Sequence, residues 1–219
     1  SYNSSGNSPT YSNEITLTTF PSITMTDIDG NVYSAVTICN QTITKENLNV
    51  SKYSDGTTIP QVNDPAEWAS KTTGAWCYYA NNSANGTTYG KLYNWYAVAG
   101  IYDSASATNP AIRKKLAPTG WHIPADYEWS SIINCLDPNS NGGAISPNIA
   151  GGKMKLIGTV QTGNGLWESP NINATNESGF TALPGGARGE SNGTSTFSTV
   201  DINLATIQTA NITDRKSTR

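Results

Sequence analysis

The segment Ala117-Pro118-Thr119-Gly120-Trp121-His122-Ile123-Pro124-Ala125-Asp126-Tyr127-Glu128-Trp129 constrains the fold more than any other. Pro118-Thr119-Gly120 makes a turn, and the residues around Trp121 read as a short buried strand. Pro124 then opens a helix, because a proline in the first helical turn gives up an N–H that would have no partner there. Trp129 lies on the helix face that continues through Ile132, Ile133 and Leu136. A unit of this kind asks for a short helix packed on a small sheet.

The rest of the chain extends that picture. Ile15, Leu17 and Thr19 alternate, as do Ile23 and Met25, and then Val32, Ser34, Val36 and Ile38. A period of two predicts strands, with Asp29-Gly30-Asn31 as the turn before the last of them. Asp64-Pro65-Ala66-Glu67-Trp68-Ala69 reads as a helix start, and Gly74 to Tyr79 as a strand running into a polar loop, 81–88. Leu92, Trp95, Tyr96 and Ala99 repeat at helical spacing and predict a helix over about 89–99. Residues 100–113 read as a polar inserted loop and residues 137–152 as a second long surface loop. Lys153 to Leu156 and Trp167 read as short strands or pinned loop. The expectation is one α+β domain with few short helices, short and mostly antiparallel strands, and much loop.

Only 13% of the 219 residues are charged and the net charge is −3, so no basic surface invites nucleic acid. Eleven Tyr and six Trp mark a chain that folds. No apolar run reaches the roughly 20 residues of a membrane span. A mature chain beginning at Ser1 is expected to have lost a secretory signal. Cys39, Cys77 and Cys135 allow one intramolecular disulfide, and the sequence leaves all three pairings open. Residues 1–13 hold almost nothing that enters a core, and a polar arm of this kind needs a surface to lie against, in its own domain or a neighbouring subunit.

The motifs together resemble the Fibrobacter succinogenes major paralogous domain family of secreted bacterial proteins. The matching stretches are Asp27-Ile28-Asp29-Gly30-Asn31-Val32-Tyr33, Glu46-Asn47-Leu48-Asn49-Val50, and Tyr89-Gly90-Lys91-Leu92-Tyr93-Asn94-Trp95-Tyr96-Ala97-Val98. They continue through Pro118-Thr119-Gly120-Trp121-His122-Ile123-Pro124, Glu128-Trp129, Ala150-Gly151-Gly152-Lys153-Met154-Lys155 and Asn176-Glu177-Ser178-Gly179-Phe180 up to Gly186. The resemblance implies a C-type-lectin-like fold, with a more distant likeness to formylglycine-generating enzymes carried by the Pro124/Glu128-Trp129 helix and the Phe180 to Gly186 unit. It divides the chain into an arm with an extended strand (1–24), the family domain (25–197) and an atypical tail (198–219). The tail lacks the family's Trp-Trp-Ser-Ser segment and its closing strand, which leaves a sheet edge open to another strand; Ile202, Leu204, Thr206 and Ile207 are the residues of the tail that could supply one.

Candidate chemistry is sparse. His122, the single histidine, reads as a structural residue bonding a backbone carbonyl. Glu128 reads as a brace for the loop before its helix, since Asp126, two residues away, does not share its face. No cysteine follows Cys135, so the paired-cysteine chemistry of the formylglycine-generating enzymes is not supported. Asp27 and Asp29 form a turn rather than an EF-hand loop, and calcium held elsewhere by loop carbonyls and carboxylates stays open as the one cofactor. Trp68, Trp95, Trp121 and Trp129 fall in core patterns, which leaves Trp76 and Trp167 as candidate exposed platforms for a glycan. The sequence therefore predicts no catalytic residue. It predicts an extracellular or cell-surface structural module that associates with itself, as a filament or surface-layer subunit, through the strand of Ile15, Leu17 and Thr19. A carbohydrate-binding adhesin is the alternative.

Overall fold

A computed structural model of the chain describes residues 23–140, 149–191, 194–198 and 212–213, with side chains described as far as residue 189. The described strands form three small sheets. In the first, β1 (Thr24–Thr26), β2 (Val32–Ile38) and β3 (Gln41–Thr44) run antiparallel with β2 in the middle. In the second, β4 (Trp76–Cys77) pairs antiparallel with β5 (Leu92–Asn94). The far side of β5 takes β8 (Ile212–Thr213) in parallel. The third is the hairpin of β6 (Ala187–Ser191) and β7 (Thr194–Ser198). Around them lie α1 (Pro65–Ser70), α2 (Ala84–Tyr89), α3 (Trp95–Val98), α4 (Ser104–Thr108), α5 (Asp126–Leu136) and α6 (Ala150–Met154). The fold is α+β, with short helices and short, mostly antiparallel strands.

β2 organises the interior because successive side chains of a strand point to opposite faces. Tyr33 turns into a cluster with Met25, Leu48, Val50, Tyr53, Ile59, Trp76 and Tyr93. Ile38, odd to even, turns the other way, into a cluster with Ile43, Trp129, Ile132, Met154 and Phe180. Each such large apolar side chain contributes about 1.5–3 kcal/mol on burial, so both faces of this narrow sheet are held. Cys39 joins Cys135, across 96 residues of chain, and ties the β2–β3 turn to the last turn of α5. Of the three pairings the sequence left open, this is the one formed; Cys77 is a free buried thiol, and burial pushes its pKa up.

Cap chemistry explains where elements start. Asp64 accepts the Glu67 N–H at 2.7 Å and Pro65 follows it, which opens α1 as expected. Arg188, 1% exposed, lies over the Trp68 ring at 4.4 Å and donates to the carbonyls of Val62, Asn63 and Asp64, fixing the approach to that helix.

Five expectations need correction, the first being the polar loop over 81–88, where residues from Ala84 onward form α2. The helix over 89–99 is two elements: Leu92 and Tyr93 lie in a strand buried on both faces, and the helix begins only at Trp95. Asn94 divides them, its Oδ1 accepting the N–H groups of Ala75 (3.0 Å) and Ala97 (2.9 Å). A strand buried on both sides followed by a helical turn mimics helical spacing. Residues 100–113 are not a plain loop but contain α4, closed by a capping box between Asp103 and Ser106. Residues 150–154 are helical, and only Lys155 makes a strand-like bridge, to Ala182. Trp121 lies in an extended loop: its N–H closes the turn on the Pro118 carbonyl (3.0 Å), and it pairs with no described strand.

Candidate functional site

Between β3 and the loop that leads into α5 runs a groove of about 530 Å³. Ile23 and Met25, residues 40–44, Glu46, Asn47 and Leu48 line one side of it. Ala117, Pro118, residues 120–124, Glu128, Trp129 and Phe180 line the other. Much of this lining comes from the stretches that carry the family resemblance.

Local chemistry sets the walls. Gly120 takes φ of +86° in the turn before Trp121, and a Cβ there would meet nothing within 4 Å, so backbone conformation rather than space calls for glycine. α5 then starts behind Ala125, whose N–H donates to Glu128 Oε2 at 2.8 Å. The other oxygen of Glu128 is 2.8 Å from His122 Nε2. The bond from Ala125, and then His122, hold the Glu128 carboxyl below the usual range. The expected brace is therefore present. His122 departs from expectation: it bonds a carboxylate rather than a carbonyl, and its side chain is 71% exposed at the rim. One turn on, Trp129 packs edge-on against Phe180, with ring centroids 6.2 Å apart. Gln41 Nε2 donates to the Glu128 carbonyl at 3.2 Å and holds β3 against α5.

Among the described residues, no strand pairs with the outer edge of β3. In an antiparallel pair, residues that exchange both backbone bonds alternate with residues that exchange none. Lys45 N–H donates to the Ser34 carbonyl at 2.9 Å. That sets the phase: with the register Val36↔Ile43 and Ile38↔Gln41, the even residues of β2 bond to β3. Thr42 and Thr44, opposite Thr37 and Ala35, therefore turn their N–H and C=O groups away from β2. A second group is also unanswered. The indole N–H of Trp129, a residue 9% exposed, is buried with no hydrogen-bond partner among the described residues. A buried donor left unpaired costs about 1–3 kcal/mol.

The residues singled out from sequence fall elsewhere. Trp76 and Trp167 are 8% and 7% exposed, which overturns their reading as exposed platforms. Trp76 donates its indole N–H to the Ile59 carbonyl (2.8 Å), and Lys91 covers its ring at 4.7 Å. Trp167 donates to the Ala182 carbonyl at 3.0 Å. A ring with its face covered has nothing to offer a sugar. Among the other four indoles, Trp68 and Trp129 are buried as expected while Trp95 and Trp121 are half-buried. Ile15, Leu17 and Thr19 lie outside the described residues, as do Ile202, Leu204, Thr206 and Ile207.

Asp27 makes a turn, as read. Its Oδ1 accepts from Asp29 N–H and Asn31 N–H at 2.9 Å, and its Oδ2 accepts from Asn31 Nδ2 (2.7 Å) and Tyr33 OH (2.6 Å). No group of three or more His, Cys, Asp or Glu among the described residues is placed to hold a metal ion. The sequence reading missed β3 itself. Its two-residue turn, Cys39-Asn40, carries none of the usual hairpin dipeptides, although Cys39 takes φ of +58° there.

No curated protein and no solved structure matches the chain. The family model described as Fibrobacter succinogenes major domain matches residues 36–204. That span contains β3, the loop of residues 117–125, α5 and Phe180, and the chain belongs to the Fibrobacter succinogenes major domain family.

Proposed function

We propose that the chain is a secreted, non-catalytic structural module with a C-type-lectin-like fold, a cell-surface or filament subunit that associates with copies of itself. One observation carries this reading: an apolar groove bordered by a strand whose outward backbone groups have no partner among the described residues. Strand edges of that kind are templates for another strand, and backbone pairing beside side-chain pockets is a general mode of protein recognition. The disulfide between Cys39 and Cys135 supports an oxidising compartment and hence an extracellular location. The engagement of both Glu128 oxygens, one of them by His122, supports a bracing role for that pair over acid–base work. The C-type-lectin-like assignment rests on the motif resemblance. The adhesin alternative loses the two indoles chosen for it.

Light scattering and negative-stain imaging of the full chain, beside a variant lacking residues 1–20, test the proposal. Assemblies of the full chain that dissolve in the shortened one are expected. A compact monomer in both samples counts against it and moves glycan screening to the front.

A further inference from the structure

We propose that the groove beside β3 is the acceptor for residues 15–19 of a second copy of this chain, which add a strand along Thr42 and Thr44 and bring an acceptor to the indole N–H of Trp129. The inference rests on the self-association proposed above and gives it an address.

Three observations converge on a peptide strand as occupant. The outward N–H and C=O groups of Thr42 and Thr44 need backbone partners, which an extended segment supplies at the spacing of a ladder. The groove beside them, about 530 Å³, lies in the range of sites that enclose side chains of a ligand. Its lining includes Met25, Ile43, Leu48, Trp129 and Phe180, all buried apolar residues. The indole N–H of Trp129, a residue of the same lining, is also without a partner among the described residues.

Residues 15–19 read Ile-Thr-Leu-Thr-Thr, which suits this slot. In an extended strand Ile15 and Leu17 share one face and enter the groove, while Thr16 and Thr18 face out. β-Branched residues favour that conformation.

Chain length argues for a second copy over the same one. The slot outside β3 lies three strand spacings from β1, about 14 Å across the sheet. Thr19 is four residues from Ile23, and four residues span at most about 14 Å when fully stretched. A chain's own arm would reach its own slot only pulled taut across the sheet. Another copy carries no such tether.

The test uses the full chain. A photoreactive benzoylphenylalanine replaces Leu17, and ordinary and nitrogen-15-labelled chains are mixed, allowed to associate, irradiated, digested and weighed. The expected products join the residue 17 peptide to peptides covering 40–48 or 118–129, with mixed isotopes in the share that random pairing requires. Thr42→Pro removes one outward N–H from an edge strand, where proline is tolerated, and is expected to abolish association while circular dichroism stays unchanged. Cross-links confined to one chain, or leading to the β1 edge or another face, overturn the inference. If assemblies form and persist in Thr42→Pro with cross-links elsewhere, the acceptor is wrong while self-association stands. If the full chain stays monomeric at every concentration, both fail.

Discussion

Two regions of this molecule treat their polar groups in opposite ways. Around Tyr33, the polar groups of Asp27, Tyr33 and Lys91 are answered, while the Tyr53 hydroxyl in the same cluster has no partner among the described residues. Asp27 accepts four hydrogen bonds, and Tyr33 OH both donates to Asp27 and accepts the Asn49 N–H at 2.9 Å. Lys91 donates to the carbonyl of Asn49 and to its Oδ1, under the faces of Trp76 and Tyr78. Around Trp129, by contrast, the indole N–H and the outward groups of β3 have no partner among the described residues and lie beside an apolar groove. Both regions hold buried aromatic rings and both hang on β2. The difference separates two buried indoles of one type: Trp76 has its N–H and a ring face both taken, while the Trp129 N–H has no partner among the described residues.

The comparison breaks most visibly at the disulfide. Cys39→Ser with Cys135→Ser releases a loop of 96 residues and is expected to cost about 4 kcal/mol, read from urea unfolding. It also frees β3 from α5, so association should fall with it. A change under about 1 kcal/mol would mean that the groove walls are held by packing alone.

Asp27→Ala leaves Tyr33 OH and Asn31 Nδ2 without their acceptor in a buried site. We expect a loss of about 3 kcal/mol, since hydrogen bonds to a charged group contribute about 1.5–3 kcal/mol each. Association, once corrected for the unfolded fraction, should not change. Trp129→Phe should show the reverse pattern. It removes an N–H that has no partner in the free module, so unfolding should shift less than in Asp27→Ala, whereas association should weaken about tenfold, the worth of roughly one hydrogen bond. If the two variants affect stability and association alike, the distinction between the regions collapses.

The smallest effect is with pH. Asp29, in the satisfied region, would be raised by burial, but the Ser51 hydroxyl and N–H and Lys52 outweigh that and lower its pKa from 3.8 to about 2. A folded-state pKa below the unfolded one means that the unfolded chain takes up the proton first, so stability is full above about 3.8 and drains as pH falls towards about 2. Urea midpoints should be flat from neutral pH down to about 5 and decline below about 4, and Asp29→Asn should shallow that decline. An unchanged decline in the variant would remove Asp29 from the account.

Much of the fold was legible because its signals are local. Asp64 and Pro65 announce α1 within four residues, and the alternation of Val32 to Ile38 announces β2. Part of what escaped depends on distant chain, although α4, with its Asp103–Ser106 capping box, is a local element that was missed. Leu92 and Tyr93 look helical until their second buried face is known, and that face is built by β4 and by residues 48–62. The partner of Cys39 stands 96 residues away. Trp76 and Trp167 looked free because their acceptors, the Ile59 and Ala182 carbonyls, are main-chain atoms that no side-chain pattern marks. The groove was the least legible feature, since it is defined by bonds that are not made.

Amide hydrogen exchange of the full chain, measured peptide by peptide at concentrations below and above the onset of association, tests the central claim most directly. The account predicts that residues 40–48 gain protection only on association, while the amides of β2 that bond within the sheet are protected at both concentrations. Equal exchange of residues 40–48 in the two states, with association occurring, would contradict it.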